Sequence, residues 1–250
     1  MNILIINGTN YKKNTYYIAK QVVNKISNGN TKVEEITLPK DLPDFCAGCG
    51  ACYKENIDLC PHRSFSKPLQ EKMDAADVLI FVVPTYVYHA PSSMINFLDH
   101  FCSLWLLHKP MPSMFLKQAV VISTAAGKGQ KEAMKDITDS LEYWGVPRIY
   151  TLGVSLKASR IEKANPKLLR SIYKSTSKIA KKVNKRYTCV TPSFKARYRF
   201  AVIRALIKHV NMSESDTKYW KEQGWYYKRR PWVKRKFLKT TPPTNYKKYK

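Results

Sequence analysis

Apolar residues fall along this chain in two alternating patterns, short unbroken runs and helical stripes. Residues 2–6 read Asn-Ile-Leu-Ile-Ile, 77–83 read Asp-Val-Leu-Ile-Phe-Val-Val, and 117–123 read Lys-Gln-Ala-Val-Val-Ile-Ser. Runs this short and continuous predict strands covered on both faces, as in a parallel sheet. Residues 31–38 and 146–154 supply a second and a fifth strand. Between the runs, Tyr17, Ile18, Val22 and Ile26 recur at helical spacing, and 69–76, 92–107, 130–143 and 166–187 read as further helices. This alternation predicts an α/β fold over residues 1–187, a doubly wound five-stranded parallel sheet in the order 2-1-3-4-5.

Residues 188–250 break the rhythm and read as a basic, mainly helical extension. A helix over 195–211 would place Phe200, Ile203, Leu206, Ile207 and Val210 on one face; Ser213 would cap another, and 228–236 form a cluster of Lys and Arg. The formal charge is +26, of which +14 falls from Tyr187 onward. Such a field favours anionic partners without naming one. The extension would pack as a domain cover or dimer arm, or lie on an anionic membrane surface; nucleic acid ranks last, since no binding motif appears. No secretory signal pattern and no apolar run of membrane-spanning length is present, which predicts a cytoplasmic protein, with peripheral membrane contact left open.

Three loops follow the predicted strands at one sheet edge, where open α/β sheets bind ligands. Residues 7–15 form a hydroxyl- and amide-rich loop leading into a helix, suited to an anion: Thr9, Asn14 and Thr15 offer donors, and Lys12 or Lys13 charge. Asn14 or Thr15 would equally serve as a helix cap. With Gly8 alone, this is neither a dinucleotide fingerprint nor a triphosphate loop, so a monophosphate fits better. Residues 84–88 carry Tyr86 and Tyr88, which could flank a planar ring. Residues 124–129 are small and allow close backbone approach.

Between the second strand and the next helix, residues 45–61 hold four of the six cysteines: Cys46, Cys49, Cys52 and Cys60, spaced Cys-x2-Cys-x2-Cys-x7-Cys. In a chain without export signals this favours metal or redox chemistry over disulfides. Three closely spaced thiols and a fourth followed by Pro61 suit a 4Fe–4S cluster. A zinc site would usually pair two Cys-x2-Cys knuckles, and unligated thiols are the third reading. Cys102 and Cys189 read as structural, and His89 as a hydrogen-bonding histidine. No Ser-His-Asp or paired-carboxylate constellation stands out.

Taken together, Gly8-Thr9 through Asn14-Thr15, the cysteine spacing, Pro84-Thr85-Tyr86 and Thr124 to Gly129 resemble the NAD(P)H-dependent FMN reductase and iron–sulfur flavoprotein group of the flavodoxin-like fold. The resemblance implies that Thr9, Asn14 and Thr15, with Lys13 beside them, hold the FMN phosphate. It implies that Pro84, Thr85, Tyr86 and Val87 border the flavin ring, and that Thr124, Ala125, Gly127 and Gly129 complete the pocket. Cys46, Cys49, Cys52 and Cys60 would hold the cluster. Two departures raise local positive charge: Tyr11-Lys12-Lys13 where relatives often have an arginine and an extra glycine, and Pro61-His62-Arg63 where acidic residues are common. The implied function is a homo-oligomeric FMN-dependent oxidoreductase. It would pass electrons from NAD(P)H or a ferredoxin-type donor to an acceptor the sequence does not identify, with a redox partner protein as one candidate. The alternatives are a non-enzymatic electron-transfer protein, or a membrane- or nucleic-acid-associated protein using the basic tail.

Overall fold

The computed structural model describes residues 1–157, 160–210, 213–227 and 230–232. Most of the basic cluster at 228–236, all of the tail beyond it and Asn211 lie outside the described residues.

Five parallel strands, β1 (Asn2–Asn7), β2 (Lys32–Thr37), β3 (Val78–Val82), β4 (Gln118–Ala125) and β5 (Arg148–Ser155), form one sheet in the order β2-β1-β3-β4-β5. This is the predicted topology. The helices are α1 (Asn14–Ile26), the short α2 (Ala51–Lys54), α3 (Arg63–Ala75), α4 (Ser92–His100), α5 (Gln130–Tyr143), α6 (Pro166–Lys185), α7 (Phe194–Val210) and α8 (Glu214–Glu222). The unbroken apolar runs have a simple cause. Leu4 and Ile6 of β1 enter a core with Met73 of α3, Phe97 of α4 and Ile137 of α5, while Ile3 and Ile5 enter another with Val22 of α1 and Ile179 of α6. Successive side chains point to opposite faces, so a strand covered on both must be apolar throughout. Each fully buried Ile or Leu contributes about 1.5–3 kcal/mol.

Two helix boundaries and one helix face differ from the sequence reading. The stripe predicted as one helix over 92–107 stops at His100, and the chain turns through a 3-10 segment at Cys102–Leu104. Tertiary partners decide this: Trp105 stacks on Tyr143 at 4.6 Å, and the Leu106 N–H donates to the Tyr143 carbonyl at 2.7 Å. A straight helix could not reach both. The helix before β3 starts at Arg63, well before the predicted Leu69, and runs through Pro68. Burial of Ser66, Leu69 and Met73 along one face offsets the backbone hydrogen bond that proline removes. On α7 the buried residues are Phe200, Ile203 and Ile207, whereas Leu206 and Val210, predicted to share that face, are exposed.

The buried face of α7 closes a third core, in which Phe200, Ile203 and Ile207 meet Trp220, Trp225, Leu106 and Phe115. The extension therefore covers its own chain, as expected for a domain cover. Ser213 caps α8 by accepting from the Asp216 N–H, also as expected.

Candidate functional site

A cleft of about 320 Å³ opens at the carboxyl ends of β1, β3 and β4. Its floor is Asn7, Val82 and Thr124, the closing residues of those strands or their neighbours; its walls are Thr9, Tyr11, Lys13 and Thr15 on one side and Pro84, Thr85 and Tyr86 on the other. The loop after β1 can turn here because Gly8 has no side chain: a Cβ would sit 3.0 Å from the Val82 carbonyl oxygen and from Met94. The Gly8 N–H donates to that same carbonyl at 2.9 Å.

The loop is built as an anion cradle. No side chain caps α1, so neither Asn14 nor Thr15 serves as the predicted cap. Uncapped N–H groups and the positive end of a 13-residue helix dipole attract negative charge. The Thr15 and Thr124 hydroxyls meet at 2.6 Å beneath them, and the buried Asn7 Oδ1 has no hydrogen-bond partner among the described residues. The two lysines divide. Lys12 pairs with Glu35, to which Tyr16 also donates at 2.6 Å, whereas Lys13 lines the cleft. Burial pushes Glu35 upward, but these two donors outweigh it and hold the carboxylate below its ordinary range. Asn14 lines the cleft while its Oδ1 accepts from the Ile161 N–H at 2.9 Å, which ties the loop to the segment after β5.

The facing wall is a tight turn. Tyr86 and His89 exchange backbone hydrogen bonds of 2.9 and 3.0 Å, and the two residues between, Val87 and Tyr88, have φ of 47° and 68°. Left-handed backbone at a β-branched residue costs energy and must be held by its surroundings. Here the holder is the loop after β4. Gly129, at φ 101°, lies where a Cβ would approach Thr85 and the Tyr88 Cα to 2.9 Å. Gly129→Ala is expected to cost about 1–2 kcal/mol from backbone strain alone, read by denaturant unfolding, and to release the turn. Unchanged stability would show that Gly129 is not what seats the turn. The structure brings Thr9, Lys13, Asn14, Thr15, Pro84, Thr85, Tyr86, Thr124 and Ala125 to the cleft. It does not bring Val87, Gly127 or Gly129 to its lining: Val87 points outward at 87% exposure, Gly127 is exposed with open space where a Cβ would lie, and Gly129 shapes the loop behind. Asn7, Tyr11, Tyr16, Val82, Ala126 and Leu156 complete the lining unpredicted. For Leu156 a signal existed, since it directly follows the last strand at the ligand-bearing edge.

The cysteine loop docks on α4 nearby. Asn96 accepts from the Cys46 N–H at 2.9 Å and donates to the Asp44 carbonyl at 2.8 Å, while Ser93, three residues earlier, donates to the Gly8 carbonyl at 2.7 Å. Cys46, Cys49, Cys52 and Cys60 line one cavity of about 60 Å³. His62, read from the sequence as adding positive charge beside the cysteines, lines it too, as do Cys102 and His100, which the sequence did not point to. The Cys52 and Cys102 sulfurs lie 3.7 Å apart. The hydrogen bond between them lowers Cys52 to about 6 and raises Cys102, and burial also raises Cys102. Burial likewise pushes the Cys46 thiol up and His100 down. Among the described residues no group of three or more His, Cys, Asp or Glu side chains is gathered tightly enough to hold a metal ion. The donor chemistry, four soft thiols around one small cavity, suits an iron–sulfur cluster nonetheless.

A family profile described as NADPH-dependent FMN reductase matches residues 1–158. An iron-sulfur flavoprotein of Archaeoglobus fulgidus is 28% identical over 99 residues, 40% of this chain and 48% of that protein. The chain thus spans about half the length of that relative. Among solved structures, an azoreductase from Bacillus anthracis superposes with a TM-score of 0.58 at 14% identity, covering 74% of this chain and 99% of that one. An FMN-dependent NADH-azoreductase from Bacillus anthracis in complex with FMN gives 0.54 at 14% identity, covering 74% and 100%. At such identity these two structures share the fold with this chain.

Proposed function

The chain belongs to the NADPH-dependent FMN reductase family, and from that premise we propose that it is an FMN-dependent oxidoreductase whose cofactor occupies the cleft between loops 7–15, 84–88 and 124–129. One observation carries the reading: an uncapped helix N-terminus opens where two buried threonine hydroxyls meet and a buried amide oxygen has no partner among the described residues. FMN bound there supplies acceptance of a hydride from NAD(P)H and release of electrons to an acceptor. Thr9, Lys13, Asn14, Thr15 and Thr124 hold the phosphate. Pro84, Thr85 and Tyr86 border the ring, with Thr85 fixed by the Ser123 hydroxyl at 2.9 Å. Ala125 and Ala126 leave room for close backbone approach, and Gly129 acts by seating the turn at Val87 and Tyr88.

Cys46, Cys49, Cys52 and Cys60 are the ligands we assign to a 4Fe–4S cluster. The support is their shared cavity and the linkage through α4. Ser93 and Asn96 fasten the phosphate loop and the cysteine loop to positions about 4.5 Å apart along one helix axis. A one-electron centre so placed would serve as an outlet beside the flavin.

Protein purified without oxygen is expected to carry about one FMN per chain and to oxidise NADPH or NADH continuously with a quinone or azo acceptor. Iron at about four per chain would accompany it, and Cys60→Ser should lose the iron while keeping the flavin. Flavin-loaded protein that turns over with no diffusible acceptor would mark an electron carrier instead, and protein that binds no flavin would overturn the reading.

A further inference from the structure

Helix α7 has two apolar faces, and the core uses one. Phe200, Ile203 and Ile207 are buried at 3–5% exposure. Around the helix lies a second series, Phe194, Tyr198, Val202, Leu206 and Val210, exposed at 76%, 63%, 39%, 37% and 55%. These five follow at steps of four, which makes a continuous ridge along a helix of 17 residues, about 25 Å long. A contiguous exposed apolar strip marks a contact surface, since single exposed apolar residues would scatter.

Charge identifies what the ridge meets. α7 contains Lys195, Arg197, Arg199, Arg204 and Lys208 and no acidic residue. Lys195 and Arg199 pair with Glu142 and Arg204 lies half-buried over the Phe200 ring at 4.9 Å, leaving Arg197 and Lys208 exposed beside the ridge. Residues 228–250 then add ten Lys and Arg with no Asp or Glu. A second copy placed on the ridge about a two-fold axis would set these cations against their own kind. A nucleic acid would use the cations and leave the ridge in water. Among the described residues no helix is long and apolar enough to cross a membrane.

We propose that α7 lies along an anionic membrane surface. The ridge from Phe194 to Val210 enters the headgroup boundary, and Arg197 and Lys208 beside it meet lipid phosphates. Phe194 and Tyr198 lead the ridge, and the Tyr198 ring, with its one polar edge, favours the lipid–water boundary. An apolar strip plus a polybasic segment gives the two signals that stable peripheral binding takes. The inference goes beyond the flavin reading and does not depend on it.

The test uses the full chain and vesicles of phosphatidylcholine alone or with about a third phosphatidylglycerol. The protein is expected to sediment with the anionic vesicles and not the neutral ones, and to be released as salt shortens the Debye length below about 10 Å. Val202→Glu with Leu206→Glu should weaken binding about tenfold or more while leaving the melting temperature and flavin content unchanged, since neither side chain enters the core. Arg197→Gln with Lys208→Gln should weaken anionic binding while keeping the fold. Three results would overturn the proposal. One is no binding to anionic vesicles; another is full binding by the double-Glu variant, which would leave the basic tail acting alone. The third is a dimer that the double-Glu variant abolishes in a protein vesicles ignore, which would give the ridge to a second copy.

Discussion

Thr15→Val is expected to weaken FMN binding by about 10- to 100-fold without unfolding the chain. Thr15 is 4% exposed, its hydroxyl is 2.6 Å from that of Thr124, and it stands in the first turn of α1 where no side chain caps the helix. Valine keeps the shape and removes the donor. A hydrogen bond to a charged phosphate oxygen contributes about 1.5–3 kcal/mol, which is the stated range in affinity. The flavin-free protein should lose less, about 1 kcal/mol, because one partner of a neutral pair is left unpaired. Flavin fluorescence titration and thermal unfolding without flavin separate the two. Thr124→Val should behave alike, and the double variant should lose less than the sum, since both hydroxyls serve one pair. If FMN affinity holds in all three, the phosphate does not sit at this helix terminus.

Much of this site was legible because topology places it. Strands covered on both faces announce themselves as unbroken apolar runs, and an order of 2-1-3-4-5 fixes which loops meet. The loops that line the cleft could be named once the strands were. What stayed hidden depends on contacts distant in sequence. Cys102 looked like a core residue on a long helix; it reaches Cys52 because α4 stops at His100, and that stop is set by Trp105 on Tyr143. Lys12 and Lys13 are adjacent and alike, and Glu35 of β2 separates their roles. Leu206 and Val210 share α7 with the core residues, yet the direction of the helix over Phe115 turns them outward. Val87 and Tyr88 adopt left-handed backbone that neither residue prefers, because the turn is clamped against Gly129. In each case a local preference yields to a partner far along the chain.

Trp220→Ala is expected to cost about 3–5 kcal/mol and to release the C-terminal helices before the sheet. Trp220 is 0% exposed, stacks on Phe200 at 5.2 Å and meets Trp225 at 5.6 Å. Its Nε1–H reaches the Leu106 and His108 carbonyls at 3.1 and 3.2 Å. Truncation removes most of the contacts that α8 makes with the turn after α4 and orphans those acceptors. A core this small has little with which to refill the hole. Hydrogen exchange should therefore quicken across 194–227 while β1, β3 and β4 stay protected, and the flavin should remain, since no residue of α7 or α8 lines the cleft. The cysteine loop should feel the loss. His108 pairs with Asp216 of α8 at 2.9 Å and stacks on Tyr53 of the loop at 4.9 Å, and Ser215 donates to the Lys54 carbonyl at 3.4 Å. Freed of α8, the cysteine loop should open more often, so thiol alkylation at Cys49 and Cys60 in iron-depleted protein should speed up. Faster exchange in α7 and α8 with unchanged alkylation would show that the cap and the thiol centre are independent. An unchanged melting profile would show that Trp220 does not hold the cap at all.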